Sequence, residues 1–275
     1  MGKVKEKPSD KNKDKKSILS LNSLPQGIEK FLEDAAGLTR FSAAFFKEVF
    51  KPPYEFSETL RQAYRLGYGS LLLVGISSFI MGLVFTLQTR PTLIEFGAES
   101  YIPSMVSIAI IREIGPVITA MICAGKVGSG IGAELGSMKV SEQIDAMAVS
   151  GTDPFKYLVV TRILAMSIML PILVFYADVV GLIGSYFGMN INGNISPELY
   201  FLDGMSTVDF MDIVPATIKS IFFGFAIALV GCYKGYTTSK GTVGVGMSAN
   251  SAVVVASLMV FIIDLLAVQI TQFFT

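Results

Sequence analysis

The sequence predicts an all-α, polytopic membrane protein, with an N-terminal interfacial helix followed by five transmembrane helices. Two observations carry this. Hydrophobic residues make up 52% of the 275 residues and charged residues only 16%, with a mean hydropathy of +0.59, whereas soluble domains are about a quarter charged. The apolar residues also gather into runs long enough to cross a bilayer core, which takes about 20 residues as helix.

Met1 to about Leu24 is rich in Lys, Asp, Glu and Pro, with no apolar stretch close behind it. It reads as a disordered tail rather than a cleavable signal. The remaining domain runs over 25–275. Its first segment, about 27–50, places Ile28, Phe31, Leu32, Ala35, Leu38, Ser42, Phe45 and Val49 at helical spacing. Glu29, Lys30, Glu33, Asp34, Arg40, Lys47 and Glu48 interrupt the apolar run, so it is no span. It suits a helix lying in the membrane interface or packed on protein. Lys51-Pro52-Pro53 ends it.

The spans then read as about 66–89, 103–124, 154–189, 214–233 and 251–273. The first is uncharged and closes at Arg90-Pro91. The second carries Arg112 and Glu113. The third opens on Asp153 as N-cap with Pro154 at the first helical position, and contains Pro171, a kink candidate, and Asp178. The fourth holds Lys219 near its start and the fifth holds Asp264. Gly125, Gly128, Gly130, Gly132 and Gly136 follow the second span and suggest close helix packing.

Charge sets the orientation. Lys126, Lys139, Lys156, Lys234 and Lys240 fall in loops on one side. The loop 190–213 holds Glu198, Asp203, Asp209 and Asp212 and no Lys or Arg. Lysines stay cytoplasmic, so the N-terminus is expected inside and the C-terminus outside.

Several chemistries are excluded. The sequence contains no His, which removes the commonest general base and metal ligand. Cys123 and Cys232 lie far apart in apolar runs, outside any metal-ligand spacing. No metal, no catalytic residue and no nucleic-acid partner is expected. No G-x-x-x-x-G-K-[ST] phosphate loop occurs, and GTVGVG at 241–246 is not one.

Between the second and third spans lies SMKVSEQIDAMAVSGTDPFKYLVV, a short polar segment with helix signals. Ser141 is placed to N-cap it, Glu142 and Gln143 suit its first turn, and Gly151 suits its C-terminal end. Val140, Ile144 and Met147 share one side. Such a helix can be a plain surface helix or a docking knob for a soluble partner.

Arg112, Glu113, Asp178, Lys219 and Asp264 are costly inside a membrane, at about 2.5 kcal/mol or more each at its centre. They line a cavity or pair internally; Lys219 with Asp264 is one candidate pair. Arg112 and Glu113 are about 100° apart on a helix and cannot share one partner.

The stretch REIGPVITAMICAGKVGSGIGAELGSMKVSEQIDAMAVSGTDPFKYLVVTRILA, Arg112 to Ala165, resembles the MlaE/YrbE-type permease family, as does the later CYKGYTTSKGTVGVGMSANSAVV. The resemblance covers about Ala63 to the end. It implies the membrane permease subunit of an ABC-type lipid transporter, with phospholipids as the leading substrate class and sterols or other lipids in some relatives. It implies a homodimer in the bacterial inner membrane, a separate ABC ATPase that binds ATP, an MCE-domain protein on the outer side, and no cofactor on this chain. By the same resemblance, Arg112 and Glu113 belong to the lipid cavity. Glu142, Gln143, Ile144, Asp145 and Met147 then belong to the helix that couples to the ATPase. Asp178, Lys219 and Asp264 are a candidate intramembrane charge network. The alternatives are an ion-coupled secondary transporter using those three residues as a relay, which the lack of an inverted repeat disfavours, and an intramembrane enzyme, which the lack of His disfavours.

Overall fold

The structure is a computed structural model that describes residues 26–191, 193–239 and 241–274. The Lys-rich tail, Asn192 and Lys240 lie outside these residues, as do the side chains of Ile28 and Phe31. The described residues form eight helical segments and no strand. They are α1 (Gln26–Val49), α2 (Phe56–Glu95), α3 (Glu99–Val140), α4 (Gln143–Val149), α5 (Phe155–Asn190), α6 (Pro197–Ser206), α7 (Phe210–Tyr236) and α8 (Thr242–Phe274). Five of them, α2, α3, α5, α7 and α8, are long and apolar enough to cross a membrane, as the hydropathy pattern predicts.

Four of the five spans are longer than the sequence predicts, and the third, Phe155–Asn190, matches the predicted length. Helix α2 begins ten residues before Leu66, because its polar first turns are satisfied locally. Gln62 donates to Glu58 at 2.7 Å and Arg61 pairs with Glu58 at 2.6 Å. The helix also continues through Pro91 rather than stopping there. Only one turn follows, so the missing N–H costs little more than a frayed end.

The larger correction concerns α3. The glycine-rich stretch after residue 124 is not a loop. The helix runs on to Val140, and Lys126 lies inside it, its ammonium donating to the carbonyl of Gly69 on α2. Glycine costs about 1 kcal/mol in an exposed helix, but here close packing offsets it. A methyl group added at Gly231 of α7 would come within 3.0 Å of the Gly128 carbonyl oxygen, and one at Gly235 within 3.0 Å of the Gly132 carbonyl oxygen. Gly125 and Gly130 have no such neighbour, so the packing role holds for part of the set only. Helices α2 and α5 meet in the same way, with Gly82 against the backbone of Gly181.

Within α3, residues Ile110–Ile114 form a π-helical turn, in which the Gly115 N–H reaches the Ile110 carbonyl. The cause is local. Pro116 has no N–H to give the Arg112 carbonyl, so the ladder shifts by one residue there. A second π turn covers Ala124–Gly128.

Asp153 caps α5 as predicted, its Oδ1 accepting from the Phe155 and Lys156 N–H groups at 3.0 and 3.3 Å. At the opposite end a buried hydroxyl chain fastens α6. Thr86 of α2 lies 2.7 Å from Ser185 of α5, and Ser185 hydrogen-bonds the Tyr200 hydroxyl of α6. Within 193–213, Pro197–Ser206 and the residues from Phe210 onward are helical, and Asp212 sits in the first turn of α7.

Candidate functional site

The π turn of α3 presents Arg112 and Glu113 toward α7 and α8. They take different partners, as their angular separation requires. The Arg112 Nε lies 3.4 Å from Asp212 Oδ1, and Glu113 Oε2 accepts from Lys219 Nζ at 2.6 Å. Lys219 also donates to Asp264 Oδ1 at 3.0 Å. The expected Lys219–Asp264 pair is thus present, with Glu113 added to it.

Exposure separates the members. The Lys219 side chain is 4% exposed and held between two carboxylates, whereas Arg112 and Glu113 are each 46% exposed. The buried ammonium balances Glu113 and Asp264, and a buried charge is tolerable only with such partners. Arg112 and Glu113 face open space instead. A cavity of about 190 Å³ is lined by Arg112, Glu113, Asp212, Lys219, Pro215 and Thr271 among others. Glu113 and Asp264 also line a neighbouring cavity of about 390 Å³, whose wall is otherwise Met81, Val84, Phe85, Gln88, Val117 and Ile118 with Ile114. Charge at one end and an apolar wall at the other is an arrangement for an amphiphile.

The family described as Permease MlaE matches residues 59–270. This chain belongs to the MlaE permease family. A probable ABC transporter permease protein of Rickettsia typhi is 36% identical over 241 residues, covering 88% of this chain and 93% of the relative. One from Synechocystis is 39% identical over 207 residues, covering 74% and 78%. The chloroplastic protein TRIGALACTOSYLDIACYLGLYCEROL 1 of Arabidopsis thaliana is 36% identical over 216 residues, covering 78% of this chain and 62% of its own.

In this MlaE permease, Asp178 does not join the network suggested for it. It makes no hydrogen bond or ion pair with Lys219 or Asp264, and its Oδ1 is buried without a hydrogen-bond partner among the described residues. Asp212, counted from sequence as an outer-loop acid, is a site residue. Asp209 three residues earlier marks a helix start, and the Asp209 N–H donates to Asp212 Oδ2 at 3.0 Å, but nothing in the sequence marks Asp212 as the partner of Arg112. Arg162 was missed altogether. It is buried in α5, with its guanidinium 3.2 Å from Glu134 of α3, which also pairs with Arg65 of α2 at 3.0 Å. A charge inside the third span was the available signal.

The short helix α4 is present, but its start differs from expectation. Ser141 does not cap it; the Ser141 hydroxyl donates to the Ser137 carbonyl at 2.8 Å and so closes α3. The chain turns instead at Glu142, which takes a left-handed φ of 58°. Its other end is as read. Gly151, at φ 85°, donates to the Ala148 carbonyl and Thr152 to that of Met147, the paired bonds of a glycine-terminated helix. Asp145 pairs with Lys139 at 3.1 Å. Ile144 is only 2% exposed and points into this chain, while Val149 is 90% exposed. The apolar group offered outward is therefore Val149, not Ile144.

Proposed function

We propose that this chain is the membrane subunit of an ABC-type transporter that moves phospholipid, and that it works as a homodimer. The observation that carries the reading is the cavity pair at Arg112 and Glu113. Arg112 engages Asp212 through Nε, 3.4 Å away, and this leaves its terminal N–H groups to meet a phosphate. Glu113 meets an amine from the same headgroup. Acyl chains lie along Met81, Val84, Phe85, Val117 and Ile118. The Arabidopsis relative is named for a lipid, trigalactosyldiacylglycerol, which supports a lipid substrate. Both cavities reach α8, whose Phe261, Leu265 and Ile270 are exposed. A second copy at that face would close them.

ATP hydrolysis falls to a separate ATPase, which meets α4 through Gln143, Asp145 and Val149. Lys139 ends α3, Lys156 opens α5 and Lys234 ends α7, so these lysines share one side of an up-and-down bundle. That side is cytoplasmic in a bacterial inner membrane, and an MCE-domain protein meets the opposite, acidic side. The sequence-level prediction of an interfacial position applies to α1.

The test is purification of the complex in mild detergent, with its proteins and lipids identified by mass spectrometry. Phospholipid and an ATPase are expected with the wild-type chain. Transport by the purified chain alone under an ion gradient would replace this reading with a secondary transporter. Topology is checked with an impermeant thiol reagent, since Cys123 and Cys232 are buried. Ser150→Cys is expected to react from the cytoplasmic side and Thr207→Cys from the opposite side.

A further inference from the structure

A third cavity lies away from the charge cluster, between α3, α5, α6 and α7, with a volume of about 210 Å³. Its walls are apolar, including Pro171, Phe175, Leu182 and Met205, and its polar lining is Asp178, Thr217 and Ser220. An engineered apolar cavity of about 150 Å³ holds benzene, so this space admits a small ring or a short alkyl body.

The polar lining has one chemical character. Thr217 donates its hydroxyl proton to the Ile213 carbonyl at 2.9 Å, and Ser220 donates to the Thr217 carbonyl at 2.7 Å. Both hydroxyls are left as acceptors. Asp178 is 7% exposed and makes no hydrogen bond among the described residues; its Oδ1 is fully buried against Gly115 of α3, where an added methyl carbon would overlap it, so the oxygen left to face the cavity is Oδ2. The nearby ammonium of Lys219 is taken up by Glu113 and Asp264 at 2.6 and 3.0 Å. A buried carboxylate without a donor is an unsettled debt of roughly 1–3 kcal/mol or more. A group that only donates, and that carries positive charge, would settle it; an alkylammonium has three N–H donors and no acceptor.

We propose that this cavity is a second ligand site, separate from the Arg112–Glu113 cavities, and that it takes a primary ammonium on a small apolar body, with Asp178 as the counter-ion. The ammonium comes either from a soluble amine or from the headgroup of an aminophospholipid; the chemistry is shared.

The probe is para-fluorobenzylamine, followed by fluorine NMR on the full chain in nanodiscs. Saturable binding is expected, with para-fluorobenzyl alcohol and para-fluorobenzoate each weaker by about tenfold or more, which corresponds to about 1.4 kcal/mol. Asp178→Asn and Thr217→Leu, one removing the charge and the other filling the space, should each weaken the amine by at least about tenfold. These comparisons among probes use the wild-type chain, so they stand if a variant fails to fold. Equal binding of amine and alcohol would overturn the proposal, since the carboxyl would then not act as an anion. Loss of binding in Glu113→Gln, with Asp178→Asn unaffected, would overturn it too by moving the amine to the other cavities. Weaker probe binding in phosphatidylethanolamine than in phosphatidylcholine nanodiscs would support the site and name the lipid as its occupant. Equal binding in the two would support it with a soluble amine.

Discussion

Two ion clusters of similar make-up sit toward opposite ends of helix α3. In one, Glu134 lies between Arg162 and Arg65; in the other, Lys219 lies between Glu113 and Asp264, with Arg112 on Asp212 beside it. Each contains one buried cation, Arg162 paired with the central Glu134 in the first and Lys219 itself the centre of the second. They differ in what surrounds that cation. Lys219 opens, through Glu113 and Asp264, onto two cavities. Arg162 lines neither of these, and its remaining hydrogen bond goes to the carbonyl of Leu158 in its own helix, at 2.8 Å. The comparison teaches that a buried charge is not by itself a sign of function. The cluster around Arg162 joins α2, α3 and α5, and it does so near the end of α3 that leads into α4. The cluster around Lys219 combines a fixed centre with a half-exposed pair that a ligand can reach.

The largest expected effect breaks the first cluster. Arg162→Ala leaves Glu134 with only the exposed Arg65 and empties the space of a long side chain that is 3% exposed, which costs about 3 kcal/mol. Thermal unfolding in detergent should show a marked fall in midpoint. A paired replacement, Arg162→Met with Glu134→Met, should recover most of it, because apolar groups of similar volume replace buried pairs well. Full stability in Arg162→Ala together with loss of bound lipid would reverse the roles assigned to the two clusters.

A similar contrast applies in α4, where the buried and exposed apolar residues differ in consequence. Ile144→Asp introduces a charge into the chain's own packing and should cost about 2–4 kcal/mol. Val149→Asp should leave the unfolding midpoint within experimental error and reduce the ATPase recovered on co-purification. If Ile144→Asp folds normally and only the ATPase is lost, the side of α4 assigned to the partner is the wrong one.

In the Lys219 cluster, the reachable pair is expected to matter for ligand more than for folding. Arg112→Ala with Glu113→Ala keeps Lys219 on Asp264 but removes one of the two carboxylates on a buried ammonium, so stability should fall by about 1–2 kcal/mol. Phospholipid per complex should fall severalfold. Unchanged lipid content would make both clusters structural.

Much of this architecture is legible in the sequence, for identifiable reasons. Five spans follow from hydropathy, because a bilayer imposes one length scale. The Asp153 cap and the Gly151 stop follow from local backbone chemistry, which neighbours seldom override. What is not legible depends on partners distant in sequence. The continuation of α3 through its glycines depends on Gly231 and Gly235 of α7. The inward turn of Ile144 follows from the left-handed Glu142, a rare conformation for a residue other than glycine. At the site, the costly charges Arg112, Glu113, Lys219 and Asp264 stand out against their apolar context. Asp212 does not, since an acid beside other acids at a helix start looks ordinary.

Asp212 also supplies the finest test of the comparison, with the smallest expected change in stability. Its two oxygens do different things: Oδ2 accepts from the Asp209 N–H at 3.0 Å, and Oδ1 faces Arg112 at 3.4 Å. Asp212→Asn can keep the first contact through the amide oxygen while removing the charge from the second. The Arg112 side chain is nearly half exposed, so the pair is worth only about 0–1 kcal/mol, and the unfolding midpoint should hardly move. The guanidinium then lacks its nearest counter-charge and should hold phosphate more firmly. The expected result is a larger share of anionic phospholipid in the lipid bound to the purified complex, read by mass spectrometry. Asp212→Ala removes both contacts and should add the loss of the helix-start bond, about 1 kcal/mol, while shifting the lipid share in the same direction. If both variants alter stability alike and neither alters the lipid, Arg112 is braced by Asp212 for packing only, and the contrast between the two ends of α3 narrows to one of exposure.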